Sequence, residues 1–241
     1  MRTLGTLILI VAMMVLGCGD GSGGSSSSGG TGGASGGSGG TGGSCTEPTP
    51  PGWVGPFDPF TEHLSPTLTL TVFPDEAGGL AGLGPKIGPL ACAGDFTRIE
   101  AMYLEGTWQG YTYAPPPVRR ATVVRGGPDG RPERAPFADP ALVSECSDAC
   151  EPPFTEGEYT FFAIPLASPI HAEAGEILYP TVQLDDGIGI GVTDEEMDPD
   201  PGWYYGPPGS TAGGDAGLWA ALDQPPPGIP TYRWAPIVRL R

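Results

Sequence analysis

Residues 67–73 read TLTLTVF, with Thr at one set of alternate positions and Leu, Leu and Val at the other. Side chains of a strand alternate between faces, so this pattern predicts a half-buried β-strand. Working outward, residues 98–104, 108–113, 118–125, 158–165, 176–184, 187–192 and 232–240 carry further strand-like apolar segments separated by turn residues. About eight short strands at this spacing fit an antiparallel sandwich. Helix signals are thin. Residues 80–90 are broken by Gly and Pro, and only 138–145 (ADPALVSE) and 217–222 could form a helical turn or two. The proline runs 115–117, 207–208 and 225–227 lack backbone donors and belong on edges or connections. The expected fold class is therefore all-β, an antiparallel β-sandwich, with a jelly-roll among the compatible topologies.

This reading applies to residues 45–241, a length suited to one domain. Residues 19–44 contain 14 Gly and 8 Ser among 26 residues and no side chain able to bury much apolar area. Backbone ordering would go uncompensated there, so the segment reads as a disordered tether with an end-to-end distance of ~30 Å and a reach of ~90 Å. A phosphate-binding glycine loop is excluded, because no strand precedes the segment, no helix follows it and it contains no Lys.

Residues 1–17 begin MRTLGTLILIV and place Arg2 before the apolar residues 4–16. Thirteen helical residues span ~20 Å, short of a ~30 Å hydrocarbon core, which suits a secretory signal rather than a membrane span. The tetrapeptide Val15-Leu16-Gly17-Cys18 that follows resembles the lipobox of bacterial lipoproteins, with Leu16 bulkier than usual at its place. The resemblance covers residues 1–18 only. It implies cleavage after Gly17, diacylation of Cys18 and attachment to a membrane through that lipid, which two or more acyl chains hold firmly. Gly19, rather than Asp, follows the lipidated residue, which in enteric bacteria favours the outer membrane. The expected location is the cell envelope, lipid-anchored and facing outward or into the periplasm.

Of five cysteines, four remain if Cys18 carries lipid: Cys45, Cys92, Cys146 and Cys150. An even number in an exported domain points to two disulfides. The close spacing of Cys146 and Cys150 in ECSDAC suggests a local bridge, which would leave Cys45 with Cys92. Zinc is disfavoured, since neither His63 nor His171 lies within sequence reach of the paired thiols.

The formal charge of −17, from 28 acidic and 11 basic residues, excludes a nucleic-acid partner bound through a basic surface. No catalytic constellation is legible: there is no G-x-S-x-G, and His63 and His171 share no motif. The chain reads as a non-enzyme, with a hydrolase using an unrecognised carboxylate site as the alternative of another class. Two binding readings stand beside a structural role. Asp185, Asp186, Asp194, Asp198 and Asp200 could ligate calcium, the one cofactor considered, although they do not match an EF-hand loop. A solvated acidic loop that maintains solubility is the plainer account of the same residues. Trp108, Trp203, Tyr204 and Tyr205 could hold a sugar ring by stacking, giving a glycan as partner. Packing within the core explains such aromatics equally simply, and an envelope protein is the other partner considered.

Overall fold

The computed structural model describes residues 54–57, 69–72, 82–103, 106–108, 111–113, 118–146, 150–151, 153–184, 188–193, 202–210, 213–225 and 235–241. Its strands are β1 (Thr69–Val72), β2 (Gly82–Gly84), β3 (Gly94–Tyr103), β4 (Gly106–Trp108), β5 (Tyr111–Tyr113), β6 (Val118–Arg125) and β7 (Ser144–Glu145). They continue with β8 (Phe154–Glu156), β9 (Tyr159–Ala172), β10 (Leu178–Leu184), β11 (Ile188–Gly191), β12 (Trp203–Gly206), β13 (Leu218–Ala221) and β14 (Val238–Leu240). The fold is an all-β sandwich of two antiparallel sheets. The first runs β1-β11-β3-β9-β8, with β14 also paired to β3, and the second runs β13-β12-β2-β10-β6-β7.

The chain passes repeatedly between these layers, so most ladders join distant segments, whereas β8 and β9 pair as neighbours across a tight turn. In the first sheet β3 and β9 pair over most of their length, from Gly94 opposite Ala172 to Tyr103 opposite Thr160, with a bulge between Phe96 and Arg98. The extra residue switches the side-chain alternation, which is why Phe96, Ile99 and Ala101 all join the core despite their spacing. In the second sheet β6 and β10 pair from Leu178 opposite Arg125 onward. The sheets meet over one apolar cluster that includes Leu83, Ile99, Ala121, Ile164, Leu178, Val182, Ile190, Tyr204 and Val238. Each large aliphatic buried there contributes roughly 1.5–3 kcal/mol relative to exposure.

The outer faces are also covered. On the first sheet Phe57, Met102, Phe161 and Ile237 form a second apolar cluster, with Phe57 edge-on to Tyr159 at 5.0 Å. On the second sheet the connection from β6 to β7 lies across Val124, Tyr179, Thr122 and Thr181, all buried. Thr122 Oγ1 donates to the Leu142 carbonyl at 2.8 Å and Thr181 Oγ1 to the Tyr179 carbonyl at 3.0 Å, so these buried hydroxyls are satisfied.

Several expectations need correction. Within 217–222, Leu218–Ala221 form strand β13, not a helical turn, because register with β12 outweighs the local helix preference of Leu and Ala. Residues 108–113 are not one strand. Trp108 and Tyr111 are partners across a β4–β5 hairpin, with Gln109-Gly110 between them. The glycine-broken segment 80–90 supplies β2, which lies between β12 and β10. There, a side chain on Gly84 would run into the Pro180 backbone, so only glycine allows the close approach. Within 138–145 the chain makes a single 3-10 turn, Pro140–Leu142, capped by Asp139, and then enters β7.

Candidate functional site

Strand β12 divides the aromatic candidates between two faces. Tyr204 points into the sandwich and is 1% exposed, where burial pushes its phenol up to about 12. It is therefore a core residue. Trp203 and Tyr205 point outward and are half-buried, and Trp219 on β13 is the register partner of Tyr205. Trp203 meets Tyr179 edge-on at 5.5 Å, and Tyr205 lies 5.4 Å from Trp219. These rings form a ledge beside the β6–β7 connection. Trp219 Nε1 donates to the Arg134 carbonyl at 2.6 Å, and the Tyr179 hydroxyl donates to the Gly130 carbonyl. The exposed Arg131 guanidinium lies 5.9 Å from the Trp203 ring. Trp219 and the buried Tyr179 thus anchor the connection, and half-buried Trp203, Tyr205 and Trp219 present part of their rings to solvent, with Trp203 next to the Arg131 cation. Trp108 lies on the separate β4–β5 hairpin.

A second constellation was not read from the sequence. On the outer face of the first sheet, Glu100 on β3 and Arg239 on β14 are register partners, 0% and 1% exposed. Arg239 Nε lies 2.6 Å from Glu100 Oε2, and its Nη2 lies 2.6 Å from Glu156 Oε2. Arg241 contacts Glu156 at 2.7 Å and Glu100 at 3.2 Å, and Arg98 contacts Glu100 at 2.8 Å and Glu151 at 3.4 Å. The Arg239 guanidinium also sits 4.1 Å from the Phe161 ring centroid, a cation–π contact. Burial alone would raise the Glu156 carboxyl, but hydrogen bonds from Arg239 and Arg241, with their charges, hold it below its ordinary range. Gly55 closes the site: a Cβ there would come within 2.5 Å of Arg239 Cβ. Three guanidinium groups and three carboxylates pair with one another, so the network fastens β3, β8 and β14 together, while Arg98 Nε, Glu100 Oε1 and Arg241 Nε are buried without a hydrogen bond of good geometry. Its only trace in the sequence is charge at alternate positions, in TRIEAMY and VRLR.

The third constellation surrounds His171 at the end of β9, where Asp95 and Glu173 flank the ring. His63 lies outside the described residues.

Cys146 and Cys150 form a disulfide, with Cα atoms 5.1 Å apart. Cys92 is exposed and also disulfide-bonded. Cys18 and Cys45 lie outside the described residues, as do Asp185, Asp186, Asp194, Asp198 and Asp200. Among the described residues no group of three or more His, Cys, Asp or Glu is placed to hold a metal ion, and no helix is long and apolar enough to cross a membrane. Comparison with protein-family models, curated proteins and solved structures returns no match.

Proposed function

We propose that the chain is a lipid-anchored cell-envelope protein whose exported β-sandwich has a structural or ligand-binding role and no catalytic activity of its own. The observation that carries this reading is the Cys146–Cys150 disulfide in a chain that begins with a lipobox-like signal and a Gly/Ser tether. Disulfides persist in oxidising compartments, so the bridge and the signal support the same address. Expression of the full chain in a bacterium, followed by detergent phase partition and intact mass measurement, tests it. The wild type should enter the detergent phase with the mass of added acyl chains, and Cys18→Ser should remain aqueous and unacylated. Recovery of the wild type as an unmodified aqueous species overturns the reading.

A second reading gives the sandwich a carbohydrate-binding role. The observation that favours it is the ledge of Trp203, Tyr205 and Trp219, half-buried and beside Arg131. Aromatic faces flanked by polar groups hold sugar rings by stacking. Tryptophan fluorescence titrated with a glycan panel should change on binding and lose that response in Trp203→Ala. An unchanged spectrum across the panel removes the reading.

A further inference from the structure

We propose that His171, Asp95 and Glu173 form a proton-controlled latch that holds the turn between β9 and β10 against β3 and, through Arg125, against β6. His171 is the register partner of Asp95. Its Nδ1 lies 2.8 Å from Asp95 Oδ1 and its Nε2 lies 3.2 Å from Glu173 Oε1. Only the imidazolium carries two N–H donors, whereas the neutral ring has one donor and one lone pair. The protonated ring can therefore satisfy both carboxylates at once. After deprotonation one of them must face a lone pair, and the attraction at that contact becomes repulsion.

Further contacts connect the ring to both sheets. The Glu173 backbone N–H donates to Glu176 Oε2 at 3.0 Å. The Glu176 carboxylate is ion-paired to Arg125 on β6, and Arg125 Nη2 donates to the His171 carbonyl at 2.7 Å. The circuit thus runs from β3 through β9 and its following turn to the second sheet. Among the described residues, the charged groups facing His171 are Asp95 from β3, Glu173 and Glu176 from the turn, and Arg125 from β6.

The direction of the switch follows from the ring's surroundings. Hydrogen bonds to Asp95 and then Glu173, followed by the Asp95 charge, raise His171 above its ordinary 6.5. A group raised in the folded state stabilises it below the unfolded value and loses that contribution as pH rises through the folded value. The Glu173 N–H, with help from Arg125, outweighs burial and keeps Glu176 ionised below its ordinary range. The latch is accordingly closed below the His171 midpoint and open above it. An exported domain experiences the pH of its surroundings, so such a latch would respond to the environment.

Two measurements on the whole chain test the proposal. Histidine ring resonances followed by NMR across pH, with the His171 signal identified by its loss in His171→Gln, should give a midpoint above 6.5 that shifts down in Asp95→Asn. Amide exchange, corrected for the intrinsic effect of pH, should be slower below that midpoint than above it at Gly175 and Glu176, whose N–H groups donate to the Leu90 and Glu173 carbonyls. His171→Gln should abolish this pH dependence. A wild-type midpoint at or below 6.5, or equal protection of the two amides on both sides of it, overturns the latch.

Discussion

Arg239 and Glu100 lie opposite one another across the β14–β3 ladder, both sealed from solvent, with Nε 2.6 Å from Oε2. Two charges at that depth carry a large desolvation cost, which their mutual attraction and their further partners Glu156, Arg241 and Arg98 offset. The pair makes the C-terminal strand an integral part of the first sheet, and Gly55 lets residues 54–57 cover it.

Removing one partner strands a buried charge. Glu100→Met or Arg239→Met should each destabilise the folded chain by about 3–5 kcal/mol. The double variant Glu100→Met with Arg239→Met should cost less than the two single effects combined, because no lone charge remains. Urea unfolding of the four proteins in a double-mutant cycle measures the coupling.

The Glu156 carboxyl ties stability to acid. Its folded value is depressed, since the hydrogen bonds and charges of Arg239 and Arg241 outweigh burial. A depressed group stabilises the fold above its unfolded value and loses that contribution as pH falls through the folded value. Wild-type stability should therefore drop below about pH 4.5, and Glu156→Gln should flatten this part of the profile. Thermal melts across pH 3–6 read the difference.

The β6–β7 connection is held by ring hydrogen bonds. Trp219→Phe removes the donor to the Arg134 carbonyl, a loss of about 0.5–1.5 kcal/mol for a neutral hydrogen bond. Tyr179→Phe removes the donor to Gly130. Limited trypsin digestion should cleave after Arg134 faster in either variant than in the wild type, with the greatest rate in the double variant.

Gly84 marks where β2 approaches β10. Because an added methyl would meet the Pro180 backbone, Gly84→Ala should cost at least the 1–3 kcal/mol usual for overpacking. The change should appear as a lower denaturant midpoint, or as loss of soluble protein if the strand cannot dock.

The strands carried by alternation or dense β-branched residues were legible: TLTLTVF contains β1, and residues 118–125 coincide with β6. Strand β2 was not, because its sequence is Gly-Leu-Gly and its identity depends on what lies beside it. The aromatic run in β12 illustrates a second barrier. Trp203, Tyr204 and Tyr205 are chemically similar, and register alone sends Tyr204 to the core and its neighbours outward. The charged network was hidden because Arg and Glu at alternate strand positions ordinarily signify a solvated face. Here the face is covered by residues distant in sequence, including Phe57.

The amino-acid order alone determined the strand-rich class, because period-two patterning is a local consequence of the pleat, and it supplied the expectation of a tethered, exported chain. Tertiary structure alone decided which aromatic is core, which charges are buried and which carboxylates reach His171. Each of those depends on strand pairing between segments far apart in the chain, and a one-residue change of register would move every such side chain to the opposite face.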